Sequence, residues 1–448
     1  MSGVMIPSTR LQHDRHRVHR SGNRIIPKYQ IRCVGGGEIV KDLAALNCPD
    51  GHDSLLRVEY LDWKLNLSCY TGIFRYLCWL PVESPLLPSG GPVTFMSKEL
   101  NRELGLKNLL VSFSGYFPEQ GANLTSCSFK ELEALVTLQR MKDFPGKIPV
   151  IASAGNTGRA FAEIATRFCM PVVIVVPEKA VSRLWTTEEP DNVFLVAVKG
   201  DYSDAILVSG TLAAISGCIP EGGAKNVARR DAMGTVMLDA AVTAGRMPDY
   251  YFQAVGSGTG GISAWEAALR LKRDGRFGTK LPQLHLAQNE PFVPMVSAWR
   301  DRRREINPDV DMPHARECIN QVMSDMLTNR NPPYGIRGGL FDALLDTNGV
   351  MYTVSNTAGN DAMKLISDTI GIDLDPAAAV ATAALVQAVE SGSVTGSDHI
   401  LLNLTGGGYK LVKEDYTLNP IEPAIVITVE EPKDSFASML KEWITHYG

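Results

Sequence analysis

Between about residue 90 and residue 410 the chain alternates short, nearly continuous apolar runs with longer segments whose apolar positions recur every three or four residues. IPVIASA (148–154), PVVIVVP (171–177) and FLVAVKG (194–200) read as strands, as do YYFQAVG (250–256), QLHLAQ (283–288), VMYTVS (350–355) and HILLNLTG (399–406). GRAFAEIATRF (158–168) sets Phe161, Ala165 and Phe168 along one helical face, and DAILVSGTLAAISG (204–217) reads as a second helix. Strands that are apolar on both faces and separated by helices predict mostly parallel sheets flanked by helices, an α/β architecture. A chain of 448 residues exceeds what one core usually fills, so two lobes are expected. The expected division is a large lobe from residues 61–145 and 223–448 and a small lobe from 146–222. In such folds ligands bind beyond the carboxyl ends of the strands.

The N-terminal sixty residues follow another pattern. Residues 1–26 carry arginines and histidines without apolar periodicity or an apolar leader core, so a disordered basic tail is expected, with no secretory signal. In residues 27–60, Cys33 and Cys48 each open a C-x-x-G, as a zinc ribbon would, but Gly36 and Gly51 stand where partner thiols belong. Two thiolates with His52 make an incomplete tetrahedral set, and a degenerate ribbon without metal is the expectation.

Composition narrows the function. A net charge of -5 offers no basic field for nucleic acid. The longest apolar runs, such as PVVIVV, are far too short to span a bilayer, so no membrane partner is expected. Eight scattered cysteines point to a reducing, cytoplasmic compartment.

Three glycine-rich turns carry the chemistry. In QAVGSGTGGISAWEAALRLK a strand ends at Val255, and Gly256, Ser257, Gly258, Thr259 and Gly260 lead into a helix. Amides in such a turn approach an anion closely and the helix N-terminus favours negative charge. Gly256, Gly258 and Gly261 also spell G-x-G-x-x-G, but the strand that follows offers only Glu290, about thirty residues on rather than the twenty of a dinucleotide site. In ASAGNTGRAFA, Asn156 caps a helix or hydrogen-bonds a ligand on the turn. In HILLNLTGGGYK, Thr405 either ends a strand or turns its hydroxyl into a cleft.

Together with Ser128-Phe129-Lys130, these turns resemble the fold type II pyridoxal-phosphate enzymes, the threonine synthase group. The resemblance spans roughly Tyr29 to Lys410. It implies pyridoxal 5'-phosphate as cofactor, with Lys130 the lysine that forms the imine. Asn156 then lies beside the phenolic oxygen, the Gly256 loop holds the phosphate and Thr405 meets the pyridine nitrogen. A lysine in an apolar or cationic setting has a lowered pKa and is free to attack an aldehyde and move a proton.

Threonine synthases usually read G-S-F-K-D-R-G, whereas this chain reads C-S-F-K-E-L-E. That departure and the degenerate ribbon resemble the cysteate synthase family of methanogens. The resemblance implies β-replacement on O-phosphoserine by sulfite, on a route to coenzyme M, and a homo-oligomer. The alternative is threonine synthase chemistry on O-phosphohomoserine with water. Phosphate and sulfite are anions, so fixed cations belong in the pocket. The family's substrate-phosphate arginine resembles Arg229, with Lys225, Ser128 and Arg159 as further substrate contacts; each arginine could instead pair with a surface carboxylate. Cys127 as a nucleophile lacks an evident histidine partner.

Overall fold

Val172–Pro177 is buried at all six positions, and burial on both faces places it inside a sheet. The computed structural model, which describes residues 28–142, 146–430 and 434–447, bears this out. The expected tail of residues 1–26 lies outside the described residues. Val172–Pro177 is the middle strand of a five-stranded, wholly parallel sheet in the order Cys218–Pro220, Ile148–Ala152, Val172–Pro177, Val193–Val198, Ile425–Ile427. Each fully buried valine or isoleucine there contributes roughly 1.5–3 kcal/mol of transfer free energy.

A second sheet has six strands, in the order Val350–Val354, Gln283–Asn289, Tyr250–Ala254, His399–Leu404, Asn108–Phe113, Val93–Phe95. The first five run parallel and only the edge strand Val93–Phe95 is antiparallel. Helix Pro376–Glu390 lies against the centre of this sheet, and its run of small alanines lets it approach closely. Helix Lys130–Met141 packs on Asn156–Arg167 of the small lobe and on Val227–Ala244 of the large one, so it bridges the two. No helix among the described residues is long and apolar enough to cross a membrane.

The N-terminal segment forms a three-stranded antiparallel sheet of Tyr29–Cys33, Ile39–Val40 and Leu56–Tyr60. Its two longer strands alternate buried and half-buried positions, as expected when one face packs on the body. Tyr60 Oη donates to Asp231 Oδ2 at 2.6 Å, and Arg57 Nε pairs with Glu266 Oε1 at 3.0 Å.

One boundary needs correction. The expected small lobe stopped at residue 222, but the chain returns to it at the end. Ile425–Ile427 adds a parallel edge strand beside Val193–Val198. Leu440, from helix Asp434–Tyr447, is buried in the same core, and the Trp443 ring sits 5.4 Å from Phe194. A three-residue strand carries too little periodicity to be read in advance.

Candidate active site

Three strand ends meet at one cleft. Tyr250–Ala254 runs into Gly256, His399–Leu404 into Thr405, and Ile148–Ala152 into the turn before Asn156. The cleft holds about 710 Å³ of empty space, partly open to solvent.

Lys130 opens the helix Lys130–Met141. The turn before it is sewn to the Thr405 strand end: Phe129 N donates to Thr405 O at 3.0 Å and Gly407 N to Cys127 O at 3.1 Å. The Lys130 ammonium lines the cleft, 3.4 Å from Glu133 Oε2 one turn on and 4.7 Å above the Phe129 ring. Burial lowers the pKa of this amine; Glu133 opposes that and Arg229 reinforces it.

Opposite lies the glycine loop. The amides of Gly256, Ser257 and Gly258 find no protein acceptor among the described residues, and they lead into helix Thr259–Asp274. A side chain at Gly260 would put its Cβ 2.0 Å from Gln253 Nε2, and one at Gly256 2.9 Å from Leu327 Cα, so only glycine lets the loop lie this close. The Thr405 hydroxyl also lines the cleft and makes no hydrogen bond among the described residues. A row of free amides at a helix N-terminus, a desolvated amine and an unpartnered hydroxyl fit the phosphate, aldehyde and ring nitrogen of pyridoxal phosphate.

Asn156 is not the cap. It is the first residue of its helix, and Ser153 Oγ instead accepts from Gly155 N at 2.9 Å and Gly158 N at 2.7 Å. The Asn156 amide lines the cleft, held from behind by Arg159 Nη2 at 2.8 Å on its oxygen and by Asp375 Oδ2 at 3.1 Å on its nitrogen.

The expected cations separate. Arg229 is buried and lines the cleft. Its Nη1 donates to Glu221 Oε2 at 2.8 Å, and its Nε lies 2.9 Å from Glu133 Oε2, close enough to pair but poorly aligned for a hydrogen bond. Its Nη2 donates to no protein group among the described residues. Arg159 does not line the cleft: its guanidinium is spent on Ser126 O, Arg183 O, Asn156 and Tyr409. That geometry ties it to Asn156 and to the turn before Lys130. Lys225 lines an adjoining cavity, its ammonium on Asn47 Oδ1 at 2.6 Å. Ser128 is buried, with its hydroxyl accepting from Lys130 N at 3.3 Å, so it shapes the turn and stays out of the cleft wall.

Residues 116–406 match the family described as pyridoxal-phosphate dependent enzyme. A curated cysteate synthase from Methanoregula boonei is 66% identical over 95% of this chain and 100% of its own length. Those of Methanoculleus marisnigri and Methanosarcina acetivorans are 54% and 53% identical, over 90% of this chain and 94% and 97% of theirs. The chain belongs to the cysteate synthase family of pyridoxal-phosphate enzymes. Among solved structures, a fungal L-serine ammonia-lyase from Rhizomucor miehei superposes with a TM-score of 0.55 at 13% identity, over 73% of this chain and 100% of that one. Maize serine racemase gives 0.52 at 15% identity, over 80% and 94%. Both show the shared fold, the fold type II architecture expected from the sequence.

In this cysteate synthase family member Cys127 is fully buried, and burial pushes its thiol far above the ordinary value of 9.0. It is held as a neutral thiol, which does not suit a nucleophile. Its backbone sits at φ 54, a left-handed region that a glycine adopts without strain. Sequence reasoning missed two groups. Glu133 lies three residues beyond Lys130, a helical spacing that places both on one face. The Asp375–Tyr409–Asn156–Arg159 cluster, with Tyr409 Oη on Asp375 Oδ2 at 2.6 Å, joins residues more than two hundred positions apart, and no local pattern signals it.

Proposed function

We propose that this chain makes L-cysteate and phosphate from O-phospho-L-serine and sulfite. One observation carries the reading: Lys130, the glycine loop with its free amides, and Arg229 with its unspent Nη2 all line one cleft. The family membership supplies the product. When bound, the cofactor draws electrons from the amino-acid α-carbon and so eases loss of its proton and of a β-leaving group.

The chain's own residues do the rest. The amides of Gly256, Ser257 and Gly258 and the Lys130 amine would hold the cofactor, Asn156 would brace its edge, and Thr405 would offer a neutral hydroxyl where a carboxylate would favour a protonated ring. Lys130 takes the α-proton and later returns it to the same carbon. Arg229 Nη2 holds the substrate phosphate and stabilises the charge left on it as the Cβ–O bond breaks. Phosphate leaves with the electron pair of the Cβ–O bond, and sulfite then forms the Cβ–S bond with its sulfur lone pair. No redox change is involved.

Phosphate release from O-phosphoserine, measured with and without sulfite and with the product identified by mass spectrometry, tests the reading. Sulfite-dependent cysteate is expected. Turnover of O-phosphohomoserine with water, without cysteate formation, would overturn it. Lys130→Ala is expected to abolish turnover, and borohydride reduction should leave the pyridoxyl adduct on the Lys130 peptide.

A further inference from the structure

The N-terminal module was expected to hold no metal because two of four thiolates are absent. The structure brings a fourth candidate ligand to that place. Cys33, Glu38, Cys48 and His52 each present one donor atom, and these atoms all lie within 4.8 Å of one another. The geometry points to a site for one zinc-class divalent cation, held by two thiolates, an imidazole and a carboxylate.

The space above Gly36 makes the case. A zinc ribbon would place a thiol there, but a Cβ at Gly36 would lie 2.0 Å from Glu38 Oε2 and 2.3 Å from His52 Cε1. Those two side chains therefore fill the volume that a cysteine at Gly36 would take, and they replace its ligand. Glu38 is five residues beyond Cys33, outside any C-x-x-C spacing, which is why the sequence hides it.

The distances agree with this assignment. A tetrahedral zinc with Zn–S of about 2.3 Å and Zn–N of about 2.0 Å has S···N edges of roughly 3.6 Å. Cys33 Sγ and Cys48 Sγ stand 3.7 and 3.4 Å from His52 Nδ1. Glu38 Oε1 is nearer than a shared metal would leave it, 2.7 Å from Cys48 Sγ and 2.9 Å from His52 Nδ1, and its flexible stem allows it to open by less than 1 Å. Donors also surround the more buried sulfur: Gly36 N points at Cys33 Sγ from 3.4 Å, and the Ser54 hydroxyl lies 2.9 Å away. Both suit a thiolate, the ligating form.

The ion is structural. It closes the loop between Val40 and Cys48, and that loop reaches the cavity that adjoins the cleft. Leu43 O accepts from Arg140, Asn47 holds Lys225, and Leu46 lies over Gly222, next to the Glu221 that pairs with Arg229.

The test is metal content and metal titration of the reduced, full-length holoenzyme. Elemental analysis should find about one zinc per chain, and stripped protein should rebind one equivalent of Zn²⁺ in competition with a chromophoric chelator. Co²⁺ in its place should give the thiolate charge-transfer and intense visible bands of a tetrahedral site. Glu38→Ala and His52→Ala change partly exposed side chains, so both should fold, and each should weaken Zn²⁺ binding at least about tenfold. Cys48→Ser should abolish it. Sub-stoichiometric, weak Zn²⁺ binding by the reduced wild type would overturn the assignment. So would stoichiometric binding that survives both Glu38→Ala and His52→Ala, because the ion would then sit elsewhere. A Cys33–Cys48 disulfide that, once reduced, binds no Zn²⁺ would overturn it too.

Discussion

Glu133 stands between the two cations of the cleft, 3.4 Å from Lys130 Nζ and 2.9 Å from Arg229 Nε. It holds the Lys130 pKa up against the burial that lowers it. Glu133→Gln removes that support, so the amine loses its proton at lower pH. The expected outcome is that the pH at which apoprotein reaches half its maximal rate of cofactor uptake moves down; an unchanged or raised midpoint would contradict it. Arg229→Ala should leave cofactor uptake intact, because the loop amides hold the cofactor phosphate. It should lower kcat/KM for O-phosphoserine by ten- to a hundred-fold, since a charge-assisted contact is worth about 1.5–3 kcal/mol. Arg229→Lys keeps the charge that Glu133 and Glu221 need but loses the fork, so partial rescue is expected. Steady-state kinetics with both variants decide it, and wild-type kcat/KM in Arg229→Ala would show that the phosphate is held elsewhere.

At the scale of elements, the large sheet carries an acid-sensitive group. His285, on the strand Gln283–Asn289, is buried and stacks on Tyr352, with Nδ1 2.7 Å from that hydroxyl. Burial lowers its pKa from 6.5 to about 4. The unfolded chain therefore takes a proton below pH 6.5 that the folded sheet refuses until about pH 4. Stability from this residue is full above the first value, falls across that window and levels off below the second, a change of about 3 kcal/mol. Urea unfolding at a series of pH values should show this slope in the wild type and a flatter one in His285→Gln; equal slopes would refute it. The strand itself was legible, because QLHLAQ is apolar where it must be. The partner of His285 was not, because Tyr352 lies on the neighbouring strand in parallel register, 67 residues on.

At the scale of the molecule, the lobes are less contiguous than the chain suggests. The C-terminal strand and helix close the small lobe from outside, with Leu440 fully buried against it. Leu440→Ala should cost about 2–5 kcal/mol and act on that lobe first. Hydrogen exchange should show protection lost along Val193–Val198 before Tyr250–Ala254, and uniform loss in both sheets would contradict a local role. The cleft itself is a product of this assembly. It takes its lysine from a helix packed on both lobes, its anion loop from one sheet and Asn156 from the other.

By itself the sequence determined the kinds of element and the chemistry at their ends. Strands buried on both faces must be apolar throughout, and a loop that cradles a phosphate must be rich in glycine, so both leave marks along the chain. The strands and the Gly256 loop were readable for that reason; Lys130, Asn156 and Thr405 were singled out through the family resemblance, and all of them line one cleft. The rest depends on groups brought together from distant positions. Arg159 donates to Asn156 and does not line the cleft, Ser153 Oγ rather than the Asn156 side chain takes the amides of the turn, and Glu38 stands above Gly36. Side-chain direction and partner choice are set by packing across sequence separations that periodicity does not span.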